Sequence, residues 1–426
     1  MTGAGSVLWD TSTYCGRPLF ADPQAQVFYP PTDLAVFVAT FFGYSRLAYI
    51  LEWELVLHVF AAGMFTYLML RTMGACRAAA LCGGLVFELG GFFASQTQHL
   101  DVVEAAAWMP LMWAAAWRLR AEFNRKWFGV LSLAAAMSIL AGIPAMATTA
   151  IASTLLYLVI LLVFREAQWR GVARGMAAVT LAVGLSGIML APGIQLTLLS
   201  VAKYRTDWFD GWGFPLQIFA TLIPPPSRGG AIDLIYCGIA GLGLAAIAVF
   251  NKSTWKSTLP LFCLTISSAI WMLGNGTVWG RTVWAVTPNL VKGSLYPYYA
   301  MAPFCLGMAA LAGLGLDRIG RLSAPYKYAI AALAAADLIA ATVDPQSRLE
   351  VVVDRLVLAP RQECQHAGAV GLVVEPLQLH AVVDGVVREL GIEQRGEQVD
   401  AQHDRNERGV GRARRGCTLG RRSVAS

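Results

Sequence analysis

Long apolar runs separated by short basic clusters constrain this chain more than any other feature. The runs lie at about 53–70, 77–95, 104–117, 127–141, 148–164, 175–191, 234–250, 259–273, 295–316 and 326–342. A helix needs about 20 apolar residues to cross about 30 Å of hydrocarbon, and within lipid its backbone must satisfy its own hydrogen bonds. The runs therefore predict an all-α polytopic membrane protein with about nine to eleven transmembrane helices and outer-face loops. Several runs are short, so one or two read as half-spans. Residues 33–50 are apolar but carry Tyr44, Ser45 and Arg46, and read as an interfacial or re-entrant helix. Composition agrees: 56% of the 426 residues are hydrophobic, only 14% are charged, and mean hydropathy is +0.54. Soluble domains carry about 25% charge. A disordered chain, a coiled coil and a disulfide scaffold are excluded.

The net charge of +6 does not point to nucleic acid. Residues 1–342 hold 21 Lys and Arg against 15 acids, and most of these cations flank apolar runs. Alternate connections differ: one set holds 14 of them, in short loops such as 71–77, 118–126 and 165–174, and the opposite set holds 6. Short loops rich in Lys and Arg stay on the cytoplasmic side. The N-terminal segment, the 96–103 turn, the 193–233 loop and the 274–294 loop are then expected on the outer face. Five of the eight cysteines (Cys76, Cys82, Cys237, Cys263, Cys305) sit in or beside apolar runs, where a thiol behaves as a small hydrophobe. There is no C-x-x-C pair to suggest zinc or redox chemistry.

Three regions differ in character. Residues 1–32 are polar and Pro-rich, without the apolar core of a signal peptide, and are expected to form an ordered extracytoplasmic loop. Residues 33–342 form the multi-span domain. Residues 343–426 contain 12 Arg, 12 acids and no Phe, Trp, Tyr or Met. This last stretch reads as a polar tail or as a frame-shifted translation, and no function is expected there.

An ionisable residue at membrane depth is costly and marks function by default. The outer-face charges fall in four places. The first holds Asp10, Asp22 and Gln24 in the N-terminal loop. The second holds Gln96, Gln98, His99, Asp101 and Glu104 around a turn, where His99 and Asp101 suit a hydrogen-bonded pair or a divalent cation. The third holds Lys203 and Arg205, spaced to grip a phosphate, beside Trp208 and Trp212. The fourth holds Lys292 and Tyr296. Glu88, inside an apolar run, is expected to be the most buried acid. No phosphate-binding glycine loop, zinc-protease or serine-hydrolase motif is present in its required context.

The stretches LWDTSTYCGRPLFADPQAQVFYPP (8–31), LHVFAAGMFTYLMLRTMG (57–74) and GGLVFELGGFFASQTQHLDVVEAAAWMPLMWAA (83–115) carry a resemblance. With AGIPAMA (141–147), APGIQLTLLSVAKYR (191–205) and GMAALAGLGLDRI (307–319), the succession resembles the YfhO-like bacterial membrane proteins, which belong with the GT-C glycosyltransferases. The resemblance implies a GT-C-like fold in a bacterial inner membrane. It implies a sugar donor carried on polyprenyl phosphate, an extracytoplasmic acceptor, an outer-face carboxylate, and a divalent cation such as Mg²⁺ or Mn²⁺. On that basis Asp10 or Asp22 supplies the carboxylate and His99 with Asp101 the metal or acceptor site. Gln24, Gln98, Lys203, Arg205, Lys292 and Tyr296 bind the donor. Against the family pattern the chain reads as starting after the first helix and losing the outer C-terminal part. Two other readings stand beside the transferase: a transporter of lipid-linked saccharide, and a non-catalytic membrane fragment.

Overall fold

The computed structural model describes residues 9, 10, 16, 18–200, 213–223, 235–251, 255–319 and 322–342. The chain divides into two units, 1–352 and 353–426, and every described residue belongs to the first. The expectations for Lys203, Arg205, Trp208, Trp212 and the 343–426 tail lie outside the described residues.

The described residues form helices and no β-strand, as an all-α polytopic membrane protein should. In chain order these are α1 (Pro30–Phe42), α2 (Leu47–Thr72), α3 (Arg77–Glu88), α4 (Gly91–Gln96), α5 (Leu100–Ala107), α6 (Met109–Leu119), α7 (Arg125–Leu140) and α8 (Pro144–Val163). They continue with α9 (Trp169–Leu185), α10 (Gly187–Leu199), α11 (Ile239–Phe250), α12 (Trp255–Met272), α13 (Val278–Val286), α14 (Asn289–Lys292), α15 (Met301–Arg318) and α16 (Ala324–Thr342).

Local chemistry sets the ends. Gly43, at φ 92°, separates α1 from α2, so the 33–50 segment is a helix, a break and a helix start. Gly74, at φ 94°, ends α2: its N–H bonds Arg71 O and the Ala75 N–H bonds Leu70 O, the paired bonds of a glycine C-cap. Asn124 accepts the Trp127 N–H at 3.2 Å and starts α7, and Pro144 opens α8.

The apolar runs fall on helices, yet fewer than the expected nine to eleven are unbroken crossings. Among the described residues four helical segments are long and apolar enough: Tyr44–Thr72, Arg77–Gln96, Pro144–Val163 and Pro297–Arg318. A fifth would be α9 with α10, but the two are bent by 76°. The 104–117 run breaks at Trp108, ahead of Pro110, and the 175–191 run breaks at Ser186. At 1.5 Å per residue, the 12 residues of α11 reach only about 18 Å.

The centre of the bundle is α15, buried along residues 301–316. It packs on α3, α11 and α12. Small residues permit this: a methyl group on Gly313 would lie 2.9 Å from Ala79 O, and one on Gly83 would lie 2.8 Å from Ala309 O. Close backbone approach over Gly and Ala is how membrane helices associate without a hydrophobic driving force. Two acids have structural work. Asp317 accepts the Cys76 N–H at 2.9 Å before α3, and Asp337 accepts Tyr236 Oη at 2.8 Å and the Ile239 N–H at 2.7 Å at the start of α11. The described cysteines are free; Cys82, Cys237 and Cys305 are buried, as expected, while Cys76 and Cys263 are half-buried.

Candidate functional site

Helix α2 is inside-out. Tyr49, Trp53, Val56, Leu57, Phe60, Met64 and Leu68 are exposed, while Glu54, His58, Ala62 and Thr66 are buried. A helix in water turns its polar stripe outward; lipid reverses that preference. Glu54 and His58, four residues apart, share one face, so the same rotation that gives lipid its apolar side chains drives both ionisable groups into the bundle. There they meet Glu104, fully buried on α5, which packs on α2. One ligand atom from each of Glu54, His58 and Glu104 lies within 4.8 Å of the others, the one such group among the described residues. Glu54 and His58 lie in the half of α2 remote from Arg71.

The N-terminal loop covers them. A turn of 3₁₀ helix, Pro23–Ala25, is capped by Asp22 Oδ1, which accepts the Gln24 N–H at 3.1 Å. The chain then passes through Gln26 in the left-handed region, φ 52° and ψ 27°. That turn aims the Gln26 amide inward, where Nε2 donates to Glu104 Oε2 and to Ala141 O. Thr32 Oγ1 donates to Glu54 Oε1 at 3.0 Å. Glycine makes room for the loop: a methyl group on Gly142, at φ 91°, would collide with Pro23 O.

Partner logic fixes the protonation of His58. Its Nδ1 lies 2.8 Å from Glu54 O, a backbone carbonyl that can only accept, so Nδ1 carries a proton. The neutral ring then offers Nε2 as an acceptor. Tyr29 Oη, 2.7 Å away, donates to it and accepts the Trp108 Nε1–H at 3.0 Å. Burial, reinforced by the Glu104 charge, pushes the Tyr29 hydroxyl above its ordinary value, which keeps it a donor. Relayed hydrogen bonds thus run from Trp108 through Tyr29 and His58 to the backbone of α2.

The acids are less well served. Glu54 Oε2 and Glu104 Oε1 are buried without a hydrogen-bond donor. The two carboxyl groups are within hydrogen-bonding reach of each other, and among the described residues no Lys or Arg pairs with either. A buried charge without a partner costs several kcal/mol. The pair therefore needs a shared proton or a cation, and two carboxylates with an imidazole are a donor set that a divalent cation fits.

The residues singled out from sequence are distributed around this centre. Gln24 is exposed and its Nε2 lies 3.5 Å from Asp101 Oδ2, which joins the first and second polar segments. Asp101 Oδ1 also accepts the Val102 N–H at 2.9 Å. His99 and Gln98 are exposed, and His99 makes no bond to Asp101 among the described residues. Asp10 is half-buried and, like Asp22, is not part of the Glu54–His58–Glu104 group. Lys292 places Nζ 5.4 Å from the centre of the Trp284 ring, a cation–π contact. The Tyr296 ring lies 6.0 Å from that of Tyr299.

One expectation is corrected. Glu88 is only partly buried, packed against Gly63, whereas Glu54 is 6% and Glu104 0% exposed. The deepest acids sit at α2 and α5. Glu54 and His58 went unremarked because they lie inside a run counted as a span; their i, i+4 spacing within that run is the signal that finds them.

Comparison of the chain with protein-family models, with curated proteins and with solved structures gives no match.

Proposed function

We propose that the protein is a membrane-embedded transferase of the bacterial inner membrane, which takes a sugar from a polyprenyl-phosphate carrier at the extracytoplasmic face. One observation carries the reading: the N-terminal loop and the 96–104 turn converge, through Gln24 with Asp101 and Gln26 with Glu104, over buried acids at one end of an apolar bundle. The likeness of these same stretches to YfhO-like proteins supports it. A lipid-linked donor needs a site near the outer leaflet, a carboxylate to accept the acceptor hydroxyl proton, and positive charge for the departing phosphate. Asp101 is the partly exposed carboxylate at the rim and serves as the base in this reading. Lys292, and Lys203 with Arg205, serve the phosphate.

The test is transfer in proteoliposomes with a polyprenyl-phosphate donor carrying labelled sugar. Asp101→Asn should lower the rate about 10²–10⁴-fold, the usual worth of a general base, with expression unchanged. A rate equal to that of the unmutated protein removes Asp101 from the reaction.

A second reading, transport of the lipid-linked saccharide, is favoured by the 76° bend between α9 and α10, with Pro192 inside α10. Broken helices are common where transporters bind substrate. Labelled donor crossing the bilayer intact, with no sugar transferred, would select it.

A further inference from the structure

We propose that Glu54, His58 and Glu104 form a binding site for a first-row divalent cation of the Mn²⁺ class, roofed by the N-terminal loop. The inference does not rest on the transferase reading and uses none of the four residues named above as catalytic from sequence.

Three observations lead to it. The ligand atoms lie within 4.8 Å of one another on two packed helices, α2 and α5, and all three side chains are nine-tenths or more buried. Two carboxylate oxygens in the group, Glu54 Oε2 and Glu104 Oε1, have no donor, although Gln26, Thr32 and His58 around them are paired. No Lys or Arg among the described residues neutralises the acids, so one divalent cation would balance both charges. Such an ion would also take the two carboxylate oxygens that lack donors.

The surroundings fit a metal site. A metal-bound histidine usually donates its other ring N–H to a carbonyl or carboxylate, which fixes the tautomer. His58 does this already: Nδ1 donates to Glu54 O, and the Nε2 lone pair accepts from the Tyr29 hydroxyl, a bond that an ion at Nε2 would replace. Gln26 and Thr32 orient the two carboxylates from the side. The donor set also narrows the ion. Mg²⁺ and Ca²⁺ favour all-oxygen sites, whereas an imidazole among carboxylates suits Mn²⁺, Fe²⁺ or Zn²⁺.

The experiment uses the full chain in nanodiscs, stripped with chelator and titrated with Mn²⁺. Loss of the free-ion paramagnetic resonance signal counts bound ions, and electron spin-echo modulation detects a ligating imidazole nitrogen. The expected result is one saturable site showing nitrogen coupling, with Mg²⁺ in equal amount failing to displace Mn²⁺. Glu104→Gln and His58→Ala should each weaken binding about tenfold or more, and His58→Ala should abolish the nitrogen coupling. Glu104→Gln is close in shape and removes a buried charge, so it is expected to fold, and its thermal melt in the absence of metal checks that. No saturable Mn²⁺ binding to the unmutated chain would overturn the proposal and leave a shared proton between the acids. Equal binding by the unmutated chain and both variants would overturn it as well, by placing the ion elsewhere.

Discussion

At Gln26 the backbone sits at φ 52° and ψ 27°, where a side chain other than glycine is strained. The strain costs about 1–2 kcal/mol, and the two bonds from Nε2, to Glu104 and to Ala141 O, offset it. Gln26→Ala keeps the strain and loses both bonds, so it should destabilise the protein by about 2–3 kcal/mol. Gln26→Gly loses the same bonds without the strain and should fall between Ala and Gln, by about 1 kcal/mol. Unfolding midpoints in detergent give the order; an Ala variant more stable than the Gly variant would contradict this account of the turn. The sequence displayed Gln26 and Tyr29 as members of a polar, Pro-rich loop. It did not display their partners, because Glu104 is 78 residues away from Gln26 and His58 is 29 from Tyr29. Glu54 and His58 were missed, although their spacing of four residues within an apolar run carried the signal.

Between helices, packing depends on backbone approach. A methyl group at Gly315 of α15 would strike the Leu244 carbonyl of α11, whereas one at Gly129 of α7 would meet nothing within 4 Å. Gly315→Leu should therefore abolish recovery of folded protein by size-exclusion chromatography in detergent. Gly129→Ala should leave it unchanged or slightly improved, because Ala is the better helix former. Equal recovery of both variants would show that α15 and α11 do not pack as described. Helix identity was legible at this scale because apolar runs of this length have few other solutions in lipid. The breaks were not. Pro110 and Pro192 are visible, but Pro110 sits in the first turn of α6, where proline is tolerated, and the bend at Ser186 precedes Pro192 by six residues.

For the whole molecule, Lys and Arg in alternate loops give an expected orientation, and access to the candidate site from outside depends on it. The buried acids sit at the end of the bundle next to the 96–103 turn, and the basic 118–126 loop lies at the other end of the α5–α6 segment. In the proposed transferase, an outward-facing turn would open the site to a lipid-linked donor in the outer leaflet. Both ends offer an exposed residue for labelling, Gln98 and Glu122. The direct measurement is reaction with a membrane-impermeant maleimide in intact cells, comparing Gln98→Cys, Glu122→Cys and the unmutated protein. Labelling of Gln98→Cys is expected in intact cells and of Glu122→Cys only after permeabilisation, each above the background of the native cysteines. Labelling of Glu122→Cys in intact cells, with Gln98→Cys protected, would invert the molecule and contradict an extracytoplasmic site.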